Sequence, residues 1–277
     1  MQDKIEKIGN SLIQHGEFNN RIYLMKLDKK DYPQIIKKLE QLAKSKGYTK
    51  IFGKVREQHL DDFIAAGYET EAYIPDFFGN GARAHFIGKF FDEKRKSDIK
   101  NEVINKVINL AEEKPNIDTQ PEINPEFRYK VAEKSDASAM VKVYQEVFPT
   151  YPFPIHDPEY IRQTMDENVI YFGIWEKDRV VALSSAEMDQ DEKNVEMTDF
   201  ATLPEYRGNG FALFLLAKME DKMKEMGIKP FYTIARAVSF GMNITFSKMG
   251  YQFTGTLKNN TNISGNIESM NVWYKHP

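Results

Sequence analysis

The sequence contains no cysteine. This one absence removes disulfides, thiolate zinc sites and a cysteine nucleophile together. Histidine is sparse, with five in 277 residues and no H-x-x-x-H pair, so no metal site is expected. An excess of positive charge is also missing. Lys and Arg number 38 against 41 Asp and Glu, a net charge of −3, which argues against general nucleic-acid binding. No apolar run reaches membrane-spanning length. The opening stretch MQDKIEKIGN has neither the apolar core of a signal peptide nor a lipidation signal. The expectation is a soluble, cytoplasmic, metal-free protein with no membrane or nucleic-acid partner. Hydrophobic residues at 41% and aromatics at 13% are enough for packed cores, and the length suits two domains.

The chain divides around residues 115–125, PNIDTQPEINP, where three prolines and no apolar periodicity mark a linker. Residues 1–114 form the expected N-terminal α/β domain. RIYLMKL (21–27) alternates as a strand. Residues 31–46 then read as an amphipathic helix with Asp31 as cap, Pro33 in its first turn and Ile35, Ile36, Leu39, Leu42 and Ala43 on one face. A strand at 50–55, a helix at 57–66 and strands at 69–75 and 84–91 follow, the last two joined by the turn DFFGNGAR. Residues 92–114 read as one charged helix with Ile99, Val103, Val107 and Leu110 on one side. The motif Phe63-x-x-x-Gly67-Tyr68 returns as Phe246-x-x-x-Gly250-Tyr251, a constant 183 residues on, so the first domain reads as a reduced relative of the second. It has no glycine-rich turn of the kind described below, and no cofactor is expected there.

Residues 126–277 read as β-α-α-β-β-β-α-β-α-β-β. A strand at 127–132 precedes a helix capped by Ser135 or Asp136, the stiff loop FPTYPFPIHDP (148–158) and a short helix. Strands follow at 169–176, 179–189 and 195–202. Then come the turn 203–210, a helix at 211–226, a strand at 229–236, a helix at 239–249 and two last strands joined by the Asn-rich turn KNNTNISGN. The turn 203–210 is the centre of this domain. Glycines between a strand and a helix start let backbone N–H groups close on an anion, and the helix dipole adds to the attraction. Its spacing is neither G-x-x-x-x-G-K-[ST] nor G-x-G-x-x-G.

The residues present, Arg207-Gly208-Asn209-Gly210-Phe211-Ala212 after L-P-E-Y, match R/Q-x-x-G-x-G/A. This resembles the acyl-CoA pyrophosphate loop of the GCN5-related N-acetyltransferases. The resemblance implies their fold, a mixed and mostly antiparallel sheet flanked by helices. It also implies acetyl-CoA as cosubstrate, held by these six residues, with the backbone of Phe200, Ala201 and Thr202 pairing with the pantetheine arm and Asn243 contacting it. Acetyl transfer to an amine needs a base for the amine's proton, a donor for the developing oxyanion and an acid for the leaving thiolate. Glu196 falls where several family members carry the base. Asp199 is its rival, because positions 196 and 199 face opposite sides of a regular strand unless a bulge intervenes. The Tyr that many members use as acid is replaced here by Phe246, leaving Tyr251, Ser247, water or no acid at all. The substrate loop is expected to bring Tyr151, Phe153, His156 and Tyr160 to the pocket, and Arg236 has the forked geometry to hold a carboxylate.

The whole chain is similar to the β-lysine N-acetyltransferases. KIGNSLIQHG, NRIYLMKLDK, GYTKIFGKV and AGYETEAYIPDFF carry the likeness in the first half, YPFPIHDPEYI and EMTDFATLPEYRGNG in the second. This resemblance implies acetylation of the side-chain amine of β-lysine to Nε-acetyl-β-lysine, a compatible solute, by direct transfer in a ternary complex. It also implies a lysine 2,3-aminomutase as supplier of β-lysine. A homodimer is a further expectation. Glu187, Glu196, Asp199, Tyr151 and Arg236 supply the right groups for a zwitterion with an extra amine. Two alternatives stand beside this reading: an acetyltransferase of polyamines or protein lysine, and a non-catalytic acyl-CoA-binding module.

Overall fold

A computed structural model describes residues 3–79, 81–117 and 119–277. Asp118 of the expected linker and Asn80 of the expected DFFGNGAR turn lie outside the described residues. The first sheet comprises β1 (Lys4–Ile8), β2 (Ser11–Gly16), β3 (Arg21–Lys26), β4 (Lys50–Arg56), β5 (Glu69–Phe78) and β6 (Ala82–Phe90), with α1 (Gln34–Lys46) after β3 and α2 (Leu60–Ala65) after β4. Its order is β1-β2-β3-β4-β6-β5, and β3 and β4 are its parallel pair. The β1–β2 hairpin went unread because KIEKI alternates weakly and its strand is mostly exposed. Asp31 does not cap α1. Its carboxylate instead accepts the backbone N–H of Asn10 at 2.8 Å and of Ser11 at 2.7 Å, pinning the hairpin turn to the helix approach.

The expected single helix over 92–114 is two helices, α3 (Glu93–Lys96) and α4 (Asn101–Glu112). The Asp98 carboxylate accepts the Lys100 N–H at 2.7 Å, a side-chain turn that competes with the helix, and Ile99 is left 97% exposed. Beyond it, α4 buries Ile104, Val107 and Ala111 and packs along α8 (Phe240–Lys248).

The second sheet comprises β7 (Phe127–Val131), β8 (Val169–Glu176), β9 (Arg179–Asp189), β10 (Asn194–Thr202), β11 (Phe231–Arg236), β12 (Gln252–Ile263) and β13 (Asn266–Lys275), in the order β12-β13-β11-β10-β9-β8-β7. The helices α5 (Ala137–Val147) and α6 (Pro158–Glu167) precede β8, and α7 (Phe211–Glu225) links β10 to β11. This is the element order read from the sequence. The helix α5 is preceded by a 3-10 turn whose capping box joins Glu133 and Asp136, so Ser135 is not the cap.

Without β7, the second sheet repeats the strand order of the first, including one parallel pair between the strands that flank the long helix. Side chains repeat with it. The Lys89 ammonium donates to Glu40 Oε1 at 2.7 Å and lies over the Tyr68 ring. The Lys275 ammonium donates to Glu220 Oε2 at 2.7 Å and lies over Tyr251.

The two sheets pack face to face. Along β11, Phe231 and Ala235 point into the core of the second domain, whereas Tyr232 and Ile234 point at the first. There they meet Phe52, Phe77 and Phe86, together with Leu257, Met270 and Val272 from β12 and β13. The Asn-rich run 258–266 is mostly strand, not turn, and it forms a polar seam beside this apolar contact. Lys50, buried and paired with Glu71 at 2.7 Å, donates to the Lys258 carbonyl at 2.8 Å, and Glu71 Oε1 accepts the Lys258 N–H at 2.7 Å. Asn19 Oδ1 accepts the Asn262 N–H at 2.7 Å. Among the described residues no helix is long and apolar enough to cross a membrane.

Candidate active site

The site originates in a parting of two strands. Parallel β10 and β11 are in register only at Val195–Phe231 and Glu196–Tyr232. Beyond Glu196 the strands separate, and the edge of β10 carries backbone groups with no strand partner on that side. A bulge between Thr198 and Ala201 helps to turn β10 away, with Asp199 held at φ 54°. The opening is a cleft of about 700 Å³ lined by Thr198, Asp199 and Phe200 on one side and Thr233 to Arg236 on the other, with Tyr151 and Phe246 above.

At one end of this cleft is the glycine turn. Gly208 and Gly210 take φ of 89° and 73°, and an added Cβ at either would meet nothing within 4 Å. Among the described residues, the N–H groups of Gly208 through Leu213 find no protein acceptor, because a helix start leaves its first donors unused. No acidic residue occupies the first turn of the 15-residue α7. Arg207 makes no ion pair among the described residues and reaches only the Thr202 carbonyl, at 3.4 Å. Six free N–H groups, a helix N-terminus, an unpaired guanidinium and open space where side chains are missing suit the pyrophosphate of an acyl-CoA. Arg207, Gly208, Gly210, Phe211, Ala212, Phe200 and Thr202 all line the cleft. Ala201 is buried in the core instead, and the Asn209 side chain turns back to the Tyr206 carbonyl at 2.9 Å.

The opposite end holds the carboxylates. Glu187 on β9, Glu196 on β10 and Tyr232 on β11 stand in one cross-strand row. Glu196 is half-buried. Desolvation first, and the Glu187 carboxylate second, push its pKa up to about 7, while Lys54 and the Tyr232 hydroxyl pull the other way. Desolvation by the surrounding walls also raises Glu187, although its side chain stays open to the cavity, and burial raises Asp199. Asp199 accepts the Ser185 hydroxyl at 2.6 Å and the Tyr151 hydroxyl, so both its oxygens are engaged.

Glu187 faces a second cavity of about 510 Å³ between the two sheets, whose walls include Tyr23, Lys54 and Phe77 of the first domain and Tyr232 of the second. Glu196 lies on β10 between Asn194, which lines this interdomain cavity, and Thr198, which lines the cleft. Sequence reading placed no functional residue in the first domain. The available signal was Lys50-x-Phe52-x-Lys54 on a strand, where two charged residues share a face with an aromatic one.

Other expected site residues are committed elsewhere. Arg236 lines the cleft, but its fork is occupied by Glu268, through Nε at 2.8 Å and Nη2 at 3.0 Å. Asn243 is fully buried. It accepts from Trp273 Nε1 at 2.8 Å and Asn271 Nδ2 at 2.9 Å, and donates to two carbonyls, locking α8 onto β11 and β13. The Tyr251 ring packs edge-on against Phe246 at 5.1 Å, and burial first, with the Glu220 charge second, holds its hydroxyl well above the usual phenol value. Ser247 donates to the Ala111 carbonyl of α4 at 2.7 Å. Neither Tyr251 nor Ser247 lines the cleft. Phe153 and Tyr160 pack against the core, and burial with Glu187 and Asp199 nearby raises the Tyr160 hydroxyl. Neither Phe153, His156 nor Tyr160 lines either cavity.

A strand parting beside a glycine turn is the arrangement expected of an acetyltransferase. The acetyltransferase (GNAT) family pattern matches residues 139–251. The chain is 45% identical to the beta-lysine N(6)-acetyltransferase of Methanococcus maripaludis over 99% of this chain and 98% of that one. It is 31% identical to the beta-lysine N(6)-acetyltransferase of Methanosarcina mazei over 87% of this chain and 96% of that one. It is 32% identical to the N-acetyltransferase YodP of Bacillus subtilis over 96% of this chain and 95% of that one. The protein is therefore an N-acetyltransferase. Within that class, the chain belongs to the β-lysine N-acetyltransferase family.

Proposed function

We propose that the protein transfers an acetyl group from acetyl-CoA to the side-chain amine of β-lysine, giving Nε-acetyl-β-lysine, by direct transfer in a ternary complex. One observation supports the reading: Glu196, with its pKa raised to about 7, stands on β10 between Asn194, which lines the charged interdomain cavity, and Thr198, which lines the acyl-CoA cleft, while itself lining neither. Acetyl-CoA supplies an activated carbonyl and a thiolate leaving group. The turn 207–212 grips its pyrophosphate, and the unpaired edge of β10 beyond Glu196 takes its pantetheine arm as an added strand. Glu196 takes the proton of the incoming ammonium, and Glu187 holds the second ammonium. Because Phe246 replaces a hydroxyl and Tyr251 and Ser247 turn away from the cleft, the thiolate departs without a protein acid. β-Lysine from an aminomutase, and a compatible-solute role for the product, belong to the same proposal.

The acids lining the interdomain cavity, including Glu167, Glu187 and Asp189, also favour a second reading, a polyamine as substrate. A free-thiol release assay with acetyl-CoA, offering β-lysine, α-lysine, ornithine and spermidine in parallel, separates the two. Selective turnover of β-lysine is expected. Preference for spermidine selects the second reading, and no release with any amine overturns both.

A further inference from the structure

We infer that Lys54, contributed by the N-terminal sheet, receives the carboxylate of the amino-acid substrate. The inference deepens the proposed function and rests on it. Lys54 stands on β4 with its side chain in the interdomain cavity that Glu187 faces. Its ammonium makes one hydrogen bond, to the Tyr232 hydroxyl at 3.1 Å. An ammonium has three donors, and with the Tyr23 hydroxyl also beside it at least one is left over. Among the described residues no carboxylate lies within 4 Å of it. Other cations lining the cavity differ: Lys26 pairs with Asp191 at 3.1 Å, Arg56 pairs with Glu192, and Lys29 is exposed.

Lys54 is held without a direct ion pair, although the Glu196 and Glu187 carboxylates feel its charge. The Phe77 and Tyr232 ring centroids lie 5.7 and 5.3 Å from its nitrogen, an aromatic setting that holds a cation by the ring quadrupoles. A partly desolvated cation with a free donor and an open cavity before it is a receptor for an anion. Lys54 also lies across Tyr232 from Glu196, so a substrate whose reacting amine meets Glu196 directs its other end toward Lys54. Glu187 stands in the same row on the other side of Glu196 and lines the same cavity as Lys54. The β-lysine skeleton carries an amine at one end and a carboxylate at the other, so it asks for one cationic receptor beside the acidic ones.

A role confined to tuning Glu196 predicts something different, since Lys54 also lowers the Glu196 pKa. Tuning changes the rate with every amine alike, whereas carboxylate recognition changes the ratio between amines. The test uses the full chain and two substrates, β-lysine and the diamine left when its carboxylate is removed. Wild type is expected to prefer β-lysine in kcat/KM by about 100-fold, the scale of one charge-assisted contact. Lys54→Met is expected to erase that preference by raising KM for β-lysine, leaving the diamine within about threefold of wild type once each is measured above its own pH limb. Lys54→Gln keeps a donor for Tyr232 and is expected to erase it too, which covers a Met variant that fails to fold. Equal losses with both substrates, or a preserved preference in a folded variant, overturn the assignment of Lys54 while leaving the acetyltransferase reading intact. Wild type that turns over neither substrate overturns that reading and the inference with it.

Discussion

Glu196 is asked to be ionised where ionisation is costly. Below about pH 7 it holds its proton, so kcat/KM is expected to fall about tenfold per pH unit below that point and to level off above it. Glu196→Gln is expected to remove this limb and to lower kcat by about 10²–10³-fold, as loss of a general base does, checked by a pH–rate profile of both proteins. The same group makes an opposite prediction for stability. Its folded pKa is raised above the ordinary 4.5, so its contribution is most favourable below that value and is lost as pH rises through about 7. Glu196→Gln is therefore expected to be more stable than wild type at pH 8, by about 2–3 kcal/mol, and nearly equal at pH 4, measured by thermal or urea unfolding. Glu196 stands out in the sequence because it sits at a fixed offset from a local motif. The engagements of Arg236 and Tyr251 were not legible for the converse reason. Their partners Glu268 and Glu220 lie 32 and 31 residues away, and no local pattern announces those pairs.

Among elements, those coded locally were readable. The turn 203–210 carries its own glycines, and the near-continuous apolar runs of β8 and β9 mark buried strands, so these elements of the cleft followed from the sequence. The bulge that places Asp199 did not, because nothing in MTDFAT distinguishes it from a regular strand. The single helix expected over 92–114 failed where Asp98 offered the backbone a competing acceptor. The glycine turn makes a sharp prediction of its own. A Cβ at Gly208 or Gly210 meets no protein atom, so Gly210→Ala costs only the left-handed backbone penalty, about 1–2 kcal/mol. The space it enters is the space proposed for the pyrophosphate. Gly210→Ala is thus expected to raise KM for acetyl-CoA at least about tenfold, with KM for the amine little changed. Equal changes in both constants would count against the turn as the phosphate cradle.

For the whole molecule, the question is what the first sheet is for. The shared strand order, the Phe-x-x-x-Gly-Tyr echo and the repeated Lys–Glu–Tyr cluster support reading residues 1–114 as a reduced copy of the catalytic domain. Packing of α4 along α8 carries the end of that segment over to the second body. Docking of the first domain on the second is expected from the sequence, but the residues that carry it were not legible, because Lys50 and Lys54 look like the wet face of a strand until the other sheet is in place. Gly255 tests whether docking matters for chemistry. An ideal Cβ there falls 2.0 Å from the Glu71 carbonyl oxygen and 2.9 Å from the Ala72 Cα, so β12 and β5 approach as closely as they do only because the side chain is missing. Gly255→Ala must separate the sheets locally or strain both strands, because backbone cannot swing aside as a side chain does. Glu71 is also the buried partner of Lys50, and a strained or weakened pair there leaves charge without compensation. The variant is expected to lose about 2–4 kcal/mol of stability by urea unfolding. If Lys54 and Tyr23 shape the amine site, the same displacement opens the interdomain cavity without touching the glycine turn. KM for β-lysine should then rise several-fold, while acetyl-CoA affinity, measured by calorimetry on the folded variant, stays within about twofold of wild type. A variant that is destabilised yet keeps its KM for β-lysine would make the first sheet a support for the fold alone.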